Sequence, residues 1–207
     1  ANANLGAGNL TVNTTSAGQV ATLNGTSEAS NILISQGSLR LGSADRLLDT
    51  SLLTVTTGTL NVQTFNETIG TLTTSNGATV SGTGTLTAAN YNLNGGTVNA
   101  NLGTGTLTSS TNSTTLNGTA AATTVNVSGG LLALGAADRL ANTAAVNVSS
   151  GTLNTATFND TVGSLTTTGG TVGGSGTLTA ATYALNGGTV NANLGTGSLT
   201  SSSGTTT

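Results

Sequence analysis

Apolar positions along this chain come in short alternating runs. In "TVTTGTLNV" (54–62) Val55, and then Leu60 and Val62, alternate with Thr and Asn on either side of a glycine. A period of two predicts β-strands with an aliphatic inner side and a Thr/Asn outer side. Glycine breaks most runs, and the Asn-Gly pairs at 76–77, 94–95, 117–118 and 186–187 read as turns. A helical period is missing, apart from a single helical turn expected at Ala44–Leu48 and at Ala137–Leu140.

Two repeats run through the chain, one inside the other. "GTLNVQTFNETIGTL" (58–72) returns as "GTLNTATFNDTVGSL" (151–165), with ten of fifteen positions identical about 93 residues apart. "LGSADRLLDTSLLTV" (41–55) returns as "LGAADRLANTAAVNV" (134–148), and 84–110 returns as 176–202. Inside the long repeat, a small-residue turn followed by Leu places Leu39, Leu60, Leu86, Leu107, Leu132, Leu153, Leu178 and Leu199 in series, with gaps of 21, 26, 21, 25, 21, 25 and 21. Periods of 20–50 residues point to solenoids or propellers. The expected fold is all-β: a right-handed parallel β-helix of eight or nine coils of 21–26 residues. Left-handed forms show a hexapeptide phase that this chain lacks. A propeller is the runner-up. One solenoid segment over 1–207 is expected, with 1–28 the tail of a preceding long repeat, 29–121 a full one and 122–207 an incomplete one.

Composition narrows the function more than the fold. Charged residues are 4% of the 207, with six acids, three arginines and no lysine, and the net charge is −3. Nucleic acid and a basic membrane contact are disfavoured, because phosphate binding needs clustered cations. His and Cys are absent as well, which removes the usual transition-metal ligands and the commonest catalytic bases. No disulfide framework exists. Disorder, the other reading of a polar low-complexity sequence, is opposed by a hydrophobic fraction of 35% set at ordered places. No apolar run approaches the ~20 residues of a spanning helix, and no signal-peptide pattern is seen. The chain lacks Met and starts inside a repeat, so it reads as a piece of something longer.

Counting from each marker leucine predicts contacts between coils. Phe65 and Tyr91 share one offset, as do Phe158 and Tyr183, so each pair is expected to stack on consecutive coils. Arg46 and Glu67 share another, and so do Arg139 and Asp160, which predicts Arg–carboxylate bridges. Leu93 holds the offset of Glu67 one coil later, so either a corner flips the facing there or the bridge is partly buried, where desolvation opposes attraction.

The segment 41–72, "LGSADRLLDTSLLTVTTGTLNVQTFNETIGTL", resembles the autotransporter-associated β-strand repeat of bacterial type V secreted passenger domains. The shared pattern is Leu-Gly, Asp-Arg-Leu, a Val strand, Gly-x-Leu, then Phe-x-Glu-Thr-Ile-Gly-x-Leu. The second copy at 134–165 has Asp160 and Val162 in place of Glu67 and Ile69. The resemblance covers about a third of the chain. It implies an extracellular right-handed β-helix in a large adhesin-like or fibre-like protein.

No catalytic, cofactor or metal residues are assigned. Asp45-Arg46 and Asp138-Arg139 recur with the scaffold, whereas a catalytic cluster appears once. Glu28, Arg40 and Asp49 alone lack counterparts. A bacterial surface rod or stalk, with flanking repeats or end-to-end subunits as partners, is the expected function. A self-assembling filament is the alternative. Ice binding is a second one, drawn from Thr-x-Thr triplets at 54–56, 71–73, 85–87, 106–108 and 177–179. The stretch 12–30, four residues longer than its later counterpart, is the best candidate for an exposed adhesive feature, although a bare linker loop is the favoured reading of it.

Overall fold

The computed structural model describes residues 2–14, 18–202 and 204–207. Among them are twenty-three strands and no helix. Every strand pair in the register is parallel, and the strands stack as a β-solenoid of about ten turns. At ~4.8 Å per step the stack is roughly 50 Å long.

Two sheets run the whole length. The larger has thirteen strands, among them Asn9–Val12, Asn31–Ile34, Leu52–Val55, Thr106–Ser109, Thr124–Val127 and Ala145–Val148. The smaller has ten, from Val20–Leu23 and Ser38–Leu41 to Thr171–Gly173 and Thr189–Val190. Short strands alternate buried and less buried residues, as in Asn31–Ile34 and Thr124–Val127. That is the period of two that the sequence predicts. Leu, Ile, Val and Ala from all coils fill one continuous core.

Four strands are long because they turn a corner. In Glu67–Thr74 and Asp160–Thr167 the alternation slips by one at Gly70-Thr71 and Gly163-Ser164. In Thr85–Leu93 and Thr177–Leu185 it slips at Ala89-Asn90 and Ala181-Thr182. Each long strand lays its first half on a third face and its second half on the large sheet. Thus Thr85 and Leu86 pair with Asn101–Leu102, while Asn90, Tyr91 and Asn92 pair with the next strand, Thr106–Ser109.

Coils are shorter than the marker leucines suggest. On the large sheet Asn9 faces Asn31, 22 residues on, and Asn90 faces Thr106, 16 residues on. The other steps fall between these limits. The gaps of 25 and 26 arise because Gly-x-Leu occurs on more than one face. Leu39 does face Leu60, and Leu132 faces Leu153. Leu60, however, faces Val80, and Leu86 lies one corner further on, opposite Glu67. Four marker steps therefore make five coils, which gives about ten turns where eight or nine were expected.

The same register corrects the aromatic pairs. Tyr91 faces Leu72 and Leu107, and Tyr183 faces Leu165 and Leu199. Phe65 precedes Glu67 by two and so stands level with Gly84, not with Tyr91. A side chain at Gly84 would strike the Phe65 carbonyl, and one at Gly176 the Phe158 carbonyl. Phe65 and Phe158 are half-buried corner residues, and neither stacks on the expected tyrosine.

The tyrosines hold the bends. Tyr91 is fully buried, and its hydroxyl accepts from the Ala88 amide at 2.8 Å and donates to the Leu86 carbonyl at 3.1 Å. Tyr183 repeats this with Ala180 and Leu178 at 2.8 and 3.0 Å. A hydroxyl inside the corner thus gives the Ala88 or Ala180 amide a buried acceptor, and its proton goes to a carbonyl that also accepts the Gly103 or Gly195 amide of the next coil.

Candidate functional site

The charged residues gather at two equivalent corners, one in each long repeat. Both are built on Ala-Asp-Arg-Leu. No helical turn forms there: Asp45 and Asp138 take left-handed backbone angles, with φ of 53° and 55°. The two amides that follow then point together, as in the backbone nests that bind anions.

A carboxylate from the next coil fills each nest. Glu67 Oε2 accepts from the Arg46 amide at 2.8 Å, and Oε1 accepts from the Leu47 amide at 3.1 Å. Asp160 Oδ2 accepts from both Arg139 and Leu140 amides, at 2.8 and 3.1 Å. Both acids are buried. They point inward, and Glu67 faces Leu86, so the offset shared with Leu93 has no structural counterpart.

The expected Arg–carboxylate bridges are replaced by these amide contacts. Each guanidinium turns back toward the preceding coil. Arg46 Nε donates to the Ala44 carbonyl and Nη1 to the Asn24 carbonyl, both at 2.9 Å. Arg139 repeats this with Ala137 at 2.9 Å and Asn117 at 2.6 Å. The Arg46 carbonyl also accepts the Ser27 amide at 2.7 Å, and the Arg139 carbonyl accepts the Ala120 amide at 2.7 Å. Each arginine thereby clasps three coils: its guanidinium and carbonyl grip the coil before, and its amide grips the acid of the coil after. Equal offsets correctly signalled adjacency. They could not reveal that backbone amides, not the guanidinium, take the acid.

Burial pushes the Glu67 carboxyl up to about 7 from 4.5, against the downward pull of the Arg46 and Leu47 amides, and the nearby Asp45 charge adds to the rise. Burial also raises Asp160, opposed by the Leu140 and Arg139 amides. The two carboxyls stand five coils apart, ~24 Å at the strand spacing. That is well beyond the ~5–10 Å over which two acids share a glycosidic bond.

Of the charges without counterparts, Arg40 is exposed on the small sheet, where Nε donates to Thr22 Oγ1 at 3.2 Å. Glu28 and Asp49 are also exposed. Among the described residues no three His, Cys, Asp or Glu side chains gather in a way that could hold a metal ion. No helix among them is long and apolar enough to cross a membrane.

The threonine triplets do not align. Thr71 and Thr73 lie between Leu52 and Thr54 on one side and Asn90 and Asn92 on the other. Thr106 and Thr108 lie between Asn90 and Asn92 and then Thr124 and Asn126. The triplets at 85–87 and 177–179 belong to the third face, beside Asn101 and Asn193. In the longer stretch 12–30, residues 15–17 lie outside the described residues. An open polar recess beside it is lined by Gln19, Gln36, Ser38, Thr57 and Thr59 among others. No family model, curated protein or solved structure matches this protein in the comparisons made with them, so the likeness to autotransporter-type repeats rests on the repeat motif itself.

Proposed function

We propose that the protein is a rod or stalk segment of a secreted bacterial surface protein, extracellular or cell-surface, with flanking coils of a longer polypeptide as its partners. One observation carries the reading: two parallel ladders continue through about ten turns around a single aliphatic core. Such an array gives length and stiffness from nearest-neighbour contacts alone. The charges at the corners add to the same end, since Arg46 and Arg139 each join three coils. The repeat motif "LGSADRL…FNETIG" supports the type V secreted, adhesin-like setting.

Deleting one five-coil repeat in frame from the parent protein tests this. The height of a tag displayed beyond the rod should fall by ~24 Å, five strand spacings, with display itself retained. An unchanged height, or loss of a ligand-binding activity at unchanged height, overturns the reading.

Self-assembly into a filament is the second reading. Among the described residues no further strand pairs with the outer edges of Asn9–Val12 and Val20–Leu23 at one end, and Val20 and Leu199, near opposite ends, are exposed. Open edges template further pairing. Sedimentation mass distinguishes the two: a concentration-dependent series of multimers favours the filament, and a single monomer mass the stalk.

A further inference from the structure

We propose that Asn76 is a self-modification site, where the fold leaves one Asn-Gly pair out of five free to deamidate. The chemistry needs no partner but water. The Gly77 amide nitrogen attacks the carbonyl carbon of the Asn76 carboxamide, and a new C–N bond closes a five-membered succinimide. The bond from that carbon to Nδ2 breaks, and ammonia leaves with the proton lost from the Gly77 amide. Water then opens either carbonyl of the ring, giving aspartate or isoaspartate. Glycine favours this because it has no side chain to hinder its nitrogen.

The sequence has five such pairs, beginning at Asn24, Asn76, Asn94, Asn117 and Asn186. In four, the reacting carboxamide is held by a neighbour. Asn24 Nδ2 donates to Asn2 Oδ1, and Asn117 Nδ2 to Asn99 Oδ1, each at 2.7 Å. Asn94 Oδ1 accepts from Ser110 Oγ at 2.7 Å. Asn186 Oδ1 accepts from the Ser202 amide and hydroxyl at 3.0 and 3.1 Å. In two of these the nucleophile is held as well: the Gly95 amide donates to Thr114 Oγ1 at 3.0 Å, and the Gly118 amide to the Val98 carbonyl at 3.0 Å.

Asn76-Gly77 differs on every count. Both residues are exposed, at the corner between the strands Glu67–Thr74 and Thr79–Ser81. Neither the Asn76 carboxamide nor the Gly77 amide makes a hydrogen bond to any described residue. A single bond spans the turn, from the Ala78 amide to the Ser75 carbonyl at 3.0 Å, and Gly77 has φ of 89°, the turn position that glycine suits. A side chain at Gly77 would meet nothing closer than Thr57 Cγ2 at 3.6 Å, whereas one at Gly25 or Gly118 would strike the backbone of the coil before. The torsion that brings the nitrogen onto the carbonyl carbon therefore costs one turn hydrogen bond at Asn76. Elsewhere it costs the carboxamide's own bonds as well, in packed surroundings. The product adds a negative charge at this corner, outside the core.

Peptide mapping by mass spectrometry, on protein held folded at mildly alkaline pH, reads the conversion at all five sites. Asn76 should convert at least about fivefold faster than each of the other four, the ratio set by one net hydrogen bond, and should yield both aspartate and isoaspartate. In strong denaturant the five rates should converge. Equal conversion at any other pair in the folded protein overturns the inference. So does a lead of Asn76 that persists unchanged in the denatured protein, because the fold would then not be its cause.

Discussion

The two arginine corners are the same device built with acids of different length, and the difference falls on a single oxygen. Glu67 is long enough to give each amide of its nest a separate oxygen. Asp160 is one methylene shorter. It takes both amides on Oδ2 and leaves Oδ1 buried with no partner. The first copy has its own flaw close by: Ser51 Oγ is buried and unpartnered, where the second copy has Ala144. The corner is thus specified by its paired amides and left-handed Asp. The acid has only to deliver an oxygen to them. Besides the unpartnered hydroxyl that both copies share at Thr74 and Thr167, each copy carries one buried polar mismatch of its own, in a different place.

Removing the acid should break the comparison most severely. Glu67→Ala orphans two buried amides and costs about 3 kcal/mol or more. Asp160→Ala orphans two as well but also discards the unpaired Oδ1, so its loss should be the smaller. Urea denaturation gives both, with amide exchange at Arg46 and Arg139 as a local check. Equal losses would mean that the unpaired oxygen is harmless.

The next effect is on pH. Burial lifts Glu67 from 4.5 to about 7, so between those values the folded protein holds a proton that the unfolded one has released. Stability should therefore be greatest below 4.5, fall as pH rises through this window, and level off above 7. Asp160, also raised, acts in the same direction. Denaturation midpoints across the window measure this, and Glu67→Gln should flatten most of the slope. A gain of stability with rising pH would contradict the burial argument.

Two smaller changes should make the copies more alike. Asp160→Glu lets the amides separate onto two oxygens and should stabilise by about 1 kcal/mol. Ser51→Ala removes the unpaired hydroxyl in favour of what the second copy has, and should stabilise by less than about 1 kcal/mol. A loss of stability in the first would show that the second corner lacks room for the longer acid.

Much of this architecture was legible in the sequence, because strand alternation and repetition are written in the residues themselves. "TVTTGTLNV" reads as strands, and the recurrence 93 residues on reads as stacked coils. The coil count was less accessible. Gly-x-Leu ends a turn equally well on any face, so Leu60 and Leu86 look alike in sequence while lying on different sides of the rod. The aromatic offsets failed for the same reason. At the corners, the spacing of Arg46 and Glu67 correctly marked neighbouring coils. The contact itself depends on the φ of Asp45, which no residue pattern fixes, and the only hint was an Asp tolerant of the left-handed region. The hydroxyl partners of Tyr91 were illegible because the bend at Ala89 appears only once the register is known.

The clasps also divide the rod into unequal joints. One links the coils of Asn24, Arg46 and Glu67, and the other those of Asn117, Arg139 and Asp160. Between Leu86 and Leu102 no arginine joins the neighbouring turns, which hold by ladder, core and small side-chain bonds such as Asn101 Nδ2 to the Thr83 carbonyl and Ser110 Oγ to Asn94 Oδ1. Drawn out lengthwise in a force-spectroscopy experiment, the stack should part between turns that no arginine staples, leaving both staples intact.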